Sequence, residues 1–224
     1  MKSLLSRRIA AEFIGTGFLV AAVVGSGIMG ERLAGGNVAI ALLANTIATG
    51  AALATLILAL FPISGAHLNP VVSMAEALRG GIAPKDAWLY IAAQICGGIA
   101  GTACANIMFA LPAFSISRHV RTGAPQWFSE FVATFGLLLV IRKVARFNPG
   151  WLPMAVAAYI VAAYWFTAST SFANPAVAIA RSLSDTFAGI RPADIPAFIA
   201  AQIAGGLSAV FVADWLSFRT SEIK

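Results

Sequence analysis

The hydrophobic residues of the chain fall into six long runs that are separated by polar segments. These runs cover residues 9–30, 38–61, 86–110, 127–146, 152–170 and 193–216. Each comes close to the ~20 apolar residues that an α-helix needs to cross the hydrocarbon core of a bilayer. Two further stretches, 64–80 and 171–185, are too polar and too short to span, and each contains an Asn-Pro pair. The pattern predicts an all-α membrane protein with six transmembrane helices in one domain over residues 1–224.

The landmarks of the first half recur in the same order in the second half. They are Glu12 and Glu130 within Glu-Phe-x-x-Thr, Asn69-Pro70-Val71 and Asn174-Pro175-Ala176, and Ala-Gln-Ile-x-Gly-Gly at 93–98 and 201–206. Matched landmarks in order indicate a duplicated unit, approximately 9–110 and 127–216. Because each unit has an odd number of spans, the second enters the membrane from the opposite face. The sequence thus predicts an inverted repeat whose two Asn-Pro segments meet near the middle of the membrane.

The two Asn-Pro segments are the strongest candidates for the functional chemistry. Asn suits the N-cap of a helix and Pro its first turn, so each segment predicts a loop followed by a short half-helix. Irregular backbone survives at membrane depth only where it is buried in protein or lines water. The amides of Asn69 and Asn174 are then left to donate hydrogen bonds into a pore, where the half-helix N-termini oppose cations. A single Asn-Pro would more simply be an ordinary helix cap, but two matched copies favour the pore.

Composition and charge exclude several classes of function. With 59% hydrophobic and 11% charged residues, the chain has too little charge to cover a soluble domain. The net charge of +6 comes from residues at the ends of apolar runs, which form no stripe, so we expect no nucleic-acid partner. Ten of the fifteen Lys and Arg residues lie on the side that holds both termini, which predicts cytoplasmic termini. We find no phosphate loop, no metal-ligand set and no nucleophile with a base, and expect no enzyme, cofactor or metal.

The segments Ser64–Val71 and Ser171–Ala176 resemble the two signature loops of the major intrinsic protein (aquaporin) family. The resemblance implies the aquaporin hourglass fold, in which six tilted helices and two re-entrant half-helices form a pore in each subunit of a homotetramer. It implies small neutral solutes as permeants and a place in the lipid bilayer, here a bacterial inner membrane. It also implies that Glu12 and Glu130 are buried structural carboxylates that accept hydrogen bonds from the re-entrant loops. Since ionisable groups within spans are costly, a proton relay is the alternative.

The resemblance further implies an outer selectivity filter of four residues. Counting from the two Asn anchors, these are Thr49, Ala162, Ser171 and Val177. Members of the family usually have Arg at the fourth position, so Val177 and its small partners predict a wide, weakly polar mouth. The pattern resembles the arsenic-resistance aquaporins of bacteria, which implies passage of undissociated arsenite and antimonite, and of methylated arsenicals, with glycerol and water as further permeants.

Several interpretations stay open at this stage. Arg181, one helical turn beyond Val177, either reaches back over the pore mouth or extends to water at the membrane surface. His67 either lines the pore or packs beneath the first loop. Val71 replaces the more usual Ala, either as tolerated packing or with altered geometry at the centre. The competing functions are a water or glycerol channel without a metalloid role, a proton-coupled transporter, which also shows inverted repeats, and a non-conducting adhesion protein of the same fold.

Overall fold

The protein consists of helices joined by short loops, with no strand among residues 4–217, the part of the chain that this computed structural model describes. Three of the ten basic residues on the predicted cytoplasmic side, Lys2, Arg219 and Lys224, lie outside these residues. The helices are α1 (Leu5–Leu33), α2 (Val38–Ser64), α3 (Pro70–Leu78), α4 (Pro84–Met108), α5 (Ala124–Phe147), α6 (Leu152–Phe166), α7 (Pro175–Arg181) and α8 (Ile195–Trp215). Short 3-10 turns at Pro149–Trp151 and Pro192–Asp194 precede α6 and α8. The predicted half-helices are α3 and α7.

Six of these helices correspond to the six predicted spans. Within residues 4–217, five are long and apolar enough to cross a membrane: α1, α2, α4, α6 with its preceding 3-10 turn, and α8. The sixth, α5, carries the buried Glu130 and a basic end, and is not among these five. Its 24 residues extend over about 36 Å, which is still longer than the ~30 Å hydrocarbon core.

Small residues allow the long helices to approach closely in both halves. The helix α1 packs against α4, and α5 packs against α8 in the same way. A Cβ atom on Gly97 of α4 would lie 2.1 Å from the carbonyl oxygen of Phe13, and one on Gly205 of α8 would lie 2.3 Å from that of Phe131. Only glycine fits at such crossings. The first glycine of the repeated Ala-Gln-Ile-x-Gly-Gly landmark therefore serves helix packing.

The second glycine of each landmark supports a half-helix from the other half of the chain. A Cβ on Gly98 of α4 would lie 3.1 Å from Cβ of Ala180 in α7, and one on Gly206 of α8 would lie 2.2 Å from Cγ1 of Val71 in α3. The extra methyl groups of Val71 thus occupy the space above Gly206. The half-helices are fixed between the long helices by these contacts.

Candidate permeation site

Two buried carboxylates hold the loops that lead into the half-helices. Glu12 accepts hydrogen bonds from the hydroxyl of Ser64, from the backbone N–H groups of His67 and Leu68, and from the side-chain amide of Gln94, at 2.6–2.9 Å. Glu130 accepts the N–H groups of Phe172 and Ala173 at 2.9 Å and the amide of Gln202 at 2.6 Å. Because donors reach both oxygens of each group, each carboxyl group ties a loop and a neighbouring helix together as a shared acceptor.

These bonds hold backbone conformations that ordinary residues rarely adopt. Ala66 and Leu68 have φ of 46° and 50°, and Ser171 and Ala173 have φ of 50° and 48°. The four residues stand three and one positions before Asn69 and Asn174. Left-handed backbone at non-glycine residues is strained and persists only where its surroundings enforce it. The strain is therefore placed symmetrically, at the entrance to each half-helix.

Asn69 and Asn174 are locked by reciprocal hydrogen bonds between the two loops. The side-chain amide of Asn69 donates to the carbonyl of Ala173, and that of Asn174 donates to the carbonyl of Leu68, each at 2.7 Å. Each Oδ1 meanwhile caps its own half-helix, through Val71 N–H for Asn69 and through Ala176 N–H for Asn174, at 3.0 Å. An amide has two N–H donors, so one remains on each Asn. Pro70 and Pro175 begin the helices directly behind these caps.

A cavity of about 300 Å³ passes both Asn side chains. Its wall combines the polar Asn amides with mainly apolar side chains from both halves of the chain. At one end, here called the Arg181 end, it is lined by Arg181 and Tyr164; at the other, the Glu76 end, by Glu76 and Ala145. His67 also lines it, with Nδ1 3.0 Å from Oγ of Ser73. A polar centre within an apolar tube suits uncharged molecules better than ions.

Three of the four residues expected in the outer filter line this cavity together. Thr49, Ser171 and Val177 are buried in its wall, and each is at most 5% exposed. Ala162 was the wrong choice on α6, because it is exposed on another face of the helix and is absent from the wall. The cavity is instead lined there by Ile160 and Tyr164.

Because Tyr164 lines the cavity and Ala162 does not, the mouth differs in character from the one expected. The phenol oxygen of Tyr164 lies 3.2 Å from Oγ1 of Thr49. An aromatic ring therefore occupies the side of the mouth where a small residue was expected. The hydroxyl oxygen of Ser171 is also buried, and it has no hydrogen-bond partner within residues 4–217. The mouth thus contains an aromatic ring and a further hydroxyl that the sequence did not indicate.

Arg181 is part of the same wall. Its side chain is only 2% exposed, so it does not extend to water at the membrane surface. Nε donates a hydrogen bond to the carbonyl of Ala188, and the guanidinium carbon lies 3.4 Å from the ring centre of Phe172. The sequence left open whether Arg181 reaches the pore mouth or extends to water, and it gave no indication of Tyr164 or Phe172 as its neighbours.

Comparison with known proteins decides the family. The model of the major intrinsic protein family matches residues 1–148. The chain is 55% identical over 212 residues to the aquaglyceroporin AqpS of Rhizobium meliloti strain 1021, which covers 95% of this chain and 91% of that protein. The chain belongs to the major intrinsic protein family. It is accordingly an integral, multi-pass membrane channel protein rather than an enzyme, as the sequence predicted.

Other aquaporins are similar at lower identity. Aquaporin Z of Bradyrhizobium diazoefficiens is 28% identical over 94% of this chain and 93% of its own length. The crystal structure of the aquaglyceroporin from Plasmodium falciparum superimposes with a TM-score of 0.76 at 20% identity, over 96% of this chain and 98% of that one. At this identity the likeness shows the fold alone. It confirms the hourglass arrangement of the aquaporins, with α3 and α7 as re-entrant half-helices.

Proposed function

We propose that this aquaporin is a passive channel for small neutral polyhydroxylated solutes, foremost undissociated arsenite and antimonite and related methylated arsenicals. Glycerol and water are further permeants. The observation that carries the proposal is Val177 in the cavity wall beside the hydroxyls of Thr49 and Ser171. Similarity to a protein named an aquaglyceroporin supports glycerol. The metalloid substrate rests on the chemistry of the wall.

The wall matches the chemistry of a compact acid that carries several hydroxyl groups. Such a molecule needs both donors and acceptors around it, and a serine or threonine hydroxyl supplies either. Val177 and Ile160 meanwhile offer apolar surface to the remainder of the solute. At the centre, Asn69 and Asn174 donate to solute oxygens, while an ion finds no replacement for its hydration shell. Neutral solutes therefore pass in their undissociated form.

The orientation and assembly are part of the same proposal. From the distribution of basic residues we propose that both termini lie in the cytoplasm and that the Arg181 end of the cavity faces outward, in a bacterial inner membrane. We further propose a homotetramer with one pore in each subunit, on the basis of family membership. The boundaries of the repeats, 9–110 and 127–216, stay a prediction within one channel domain.

The test compares arsenite and water permeability of the wild type and Val177→Arg in proteoliposomes. The arginine adds a large cation beside Thr49 and Ser171, so we expect arsenite and glycerol flux to fall while water flux is retained. Val38→Arg is the matched control, because Val38 is 68% exposed at the start of α2 and lies outside the cavity wall. Unchanged arsenite flux in Val177→Arg would remove Val177 from the filter.

The wild type in the same assay separates the competing functions. A channel gives fast flux that does not saturate and ignores an imposed pH gradient. Saturable flux that follows the gradient would indicate the proton-coupled transporter. Water and glycerol flux without arsenite flux would leave an ordinary aquaglyceroporin, and no flux of any solute would favour the adhesion protein.

A further inference from the structure

The half-helix α7 directs two residues into the pore, one turn apart. Val177 stands three residues after Asn174 and Arg181 seven, and both line the cavity. The four-residue step places Arg181 about 6 Å further along the helix on a similar face. The same positions of α3, counted from Asn69, are Val72 and Glu76, and these also line the cavity. The seventh position after each Asn therefore faces the pore in both halves.

The guanidinium of Arg181 is held in one orientation. Nε donates to the carbonyl of Ala188, and the ring of Phe172 lies 3.4 Å from the guanidinium carbon. A second guanidinium, that of Arg121, lies 5.0 Å from the centre of the same ring and donates to the carbonyl of Gly189. A cation over an aromatic face gains electrostatic stabilisation, and more where water is excluded. Arg181 is thus pre-organised by neighbours on two separate segments.

This arrangement leaves part of the guanidinium free for a ligand. Within residues 4–217, Nε is the nitrogen of Arg181 for which the structure shows a hydrogen bond, and the two terminal nitrogens have no such partner. In the same cavity wall, Oγ of Ser171 is buried and has no hydrogen-bond partner among the described residues, and the residue is only 3% exposed. A buried polar group without a partner is costly unless water or a ligand meets it. Unpaired groups on one cavity wall indicate a place where a solute binds.

We propose that Arg181 is the filter cation of this channel and replaces, one helical turn further out, the arginine that Val177 lacks. Together with the hydroxyls of Tyr164, Thr49 and Ser171 it forms a ring that binds the oxygens of a neutral solute and excludes cations. The inference rests on the proposed channel function. Val177 itself is apolar, so cations are rejected by charge at Arg181 and a solute meets no cation at Val177.

The test is a proton leak measured with a pH-sensitive dye inside proteoliposomes under an imposed potassium diffusion potential. One unit charge at about 6 Å, in a medium of effective dielectric constant about 20, changes the passage of a cation by about one hundredfold. Since the central Asn constriction remains, we expect Arg181→Leu to raise the leak at least about tenfold. Water flux should persist. Arg181→Lys keeps the charge and should keep the leak low. The matched control is Arg118→Leu, whose side chain is 90% exposed at the same end of the protein.

A relocation variant makes the test specific to the pore. Val177→Arg combined with Arg181→Leu restores a cation one turn deeper, and we expect the leak to return to the wild-type level. If Arg181→Leu does not yield folded protein, Arg181→Gln removes the charge while keeping a hydrogen-bond donor for Ala188. A wild-type leak in either folded neutral variant would overturn the assignment of Arg181. Absence of arsenite flux in the wild type would instead refute the proposed substrate and leave the leak comparison valid.

Discussion

Replacing Glu130 by Gln tests whether the carboxylate is the ionised anchor of the second loop. Four donors converge on Glu130: the N–H of Phe172 on Oε1, the N–H of Ala173 with the amide of Gln202 on Oε2, and the hydroxyl of Ser169. Gln keeps the shape and one acceptor oxygen. Its best orientation places that oxygen at the Oε2 position, which turns the new NH₂ group toward the N–H of Phe172.

The cost follows from the number of bonds affected. One charge-assisted hydrogen bond of about 1.5–3 kcal/mol is lost, and two opposed donors are left buried. The bonds from Ala173 and Gln202 become neutral and weaken by about 0.5–1 kcal/mol each, while the Ser169 hydroxyl can rotate to suit the new group. We expect the free energy of unfolding to fall by about 3–5 kcal/mol, a loss at the upper end for a single substitution. Because Phe172 also orients Arg181, solute selectivity should decline together with stability.

The assay is denaturant or thermal unfolding of the purified protein in one detergent, followed by intrinsic fluorescence. Glu31→Gln is the matched control, since Glu31 is exposed near the end of α1 and the change should alter stability by less than about 0.5 kcal/mol. A near-neutral Glu130→Gln would show that the group is protonated, because a protonated carboxyl is closely mimicked by an amide. That result would refute the role of Glu130 as an ionised anchor of the second loop and would favour the proton relay.

Two further expectations concern packing and pH. Gly206→Ala places a methyl group 2.2 Å from Cγ1 of Val71, so the free energy of unfolding should fall by about 1–3 kcal/mol. Adding Val71→Ala to the same chain removes the clashing methyl groups and should restore at least about 0.5 kcal/mol, measured as a double-mutant cycle from melting curves. His119 lies in the loop before α5, where burial, and then Arg121 and Arg181, lower its pKa. His119 is therefore protonated at a higher pH in the unfolded chain than in the folded protein. The free energy of unfolding should then fall as pH drops below about 6.5, and less steeply in His119→Gln. Equal slopes in the two proteins would exclude His119 as the source.

The framework of the pore could be predicted because its motifs occur twice in the sequence. The anchors Glu12 and Glu130, the caps Asn69 and Asn174 and the paired glycines each occur in both halves, so one copy supports the interpretation of the other. Their hydrogen bonds are local or lie between matched segments. The strained backbone at Ala66 and Ser171 could not be foreseen, because neither residue type favours a left-handed conformation.

The filter was harder to predict because the rotation of each helix about its own axis decides which of its residues face the pore. A count from Asn174 back to α6 crosses the irregular loop after Phe166, whose length does not fix the register of the helix. An error of two residues turns a helix by about 200° and exchanges its faces. Ala162 and Tyr164 differ by two positions, and the first is exposed while the second is buried in the cavity wall. The residues beside the motif, Ser171 and Val177, needed no such count.

The two half-helices show where this channel departs from a symmetric pore. Three residues after Asn, both halves place a valine in the cavity wall, Val72 and Val177. Seven residues after Asn the halves differ in charge, with Glu76 at one end and Arg181 at the other. Glu76 is not alone at its end, because Arg79, Arg142, Lys143 and Arg146 line the adjoining pocket with it. Positive charge therefore opposes a cation near both ends of the pore, whereas a neutral solute is indifferent to it. The arginine missing at Val177 leaves this selection by charge to the ends of the pore.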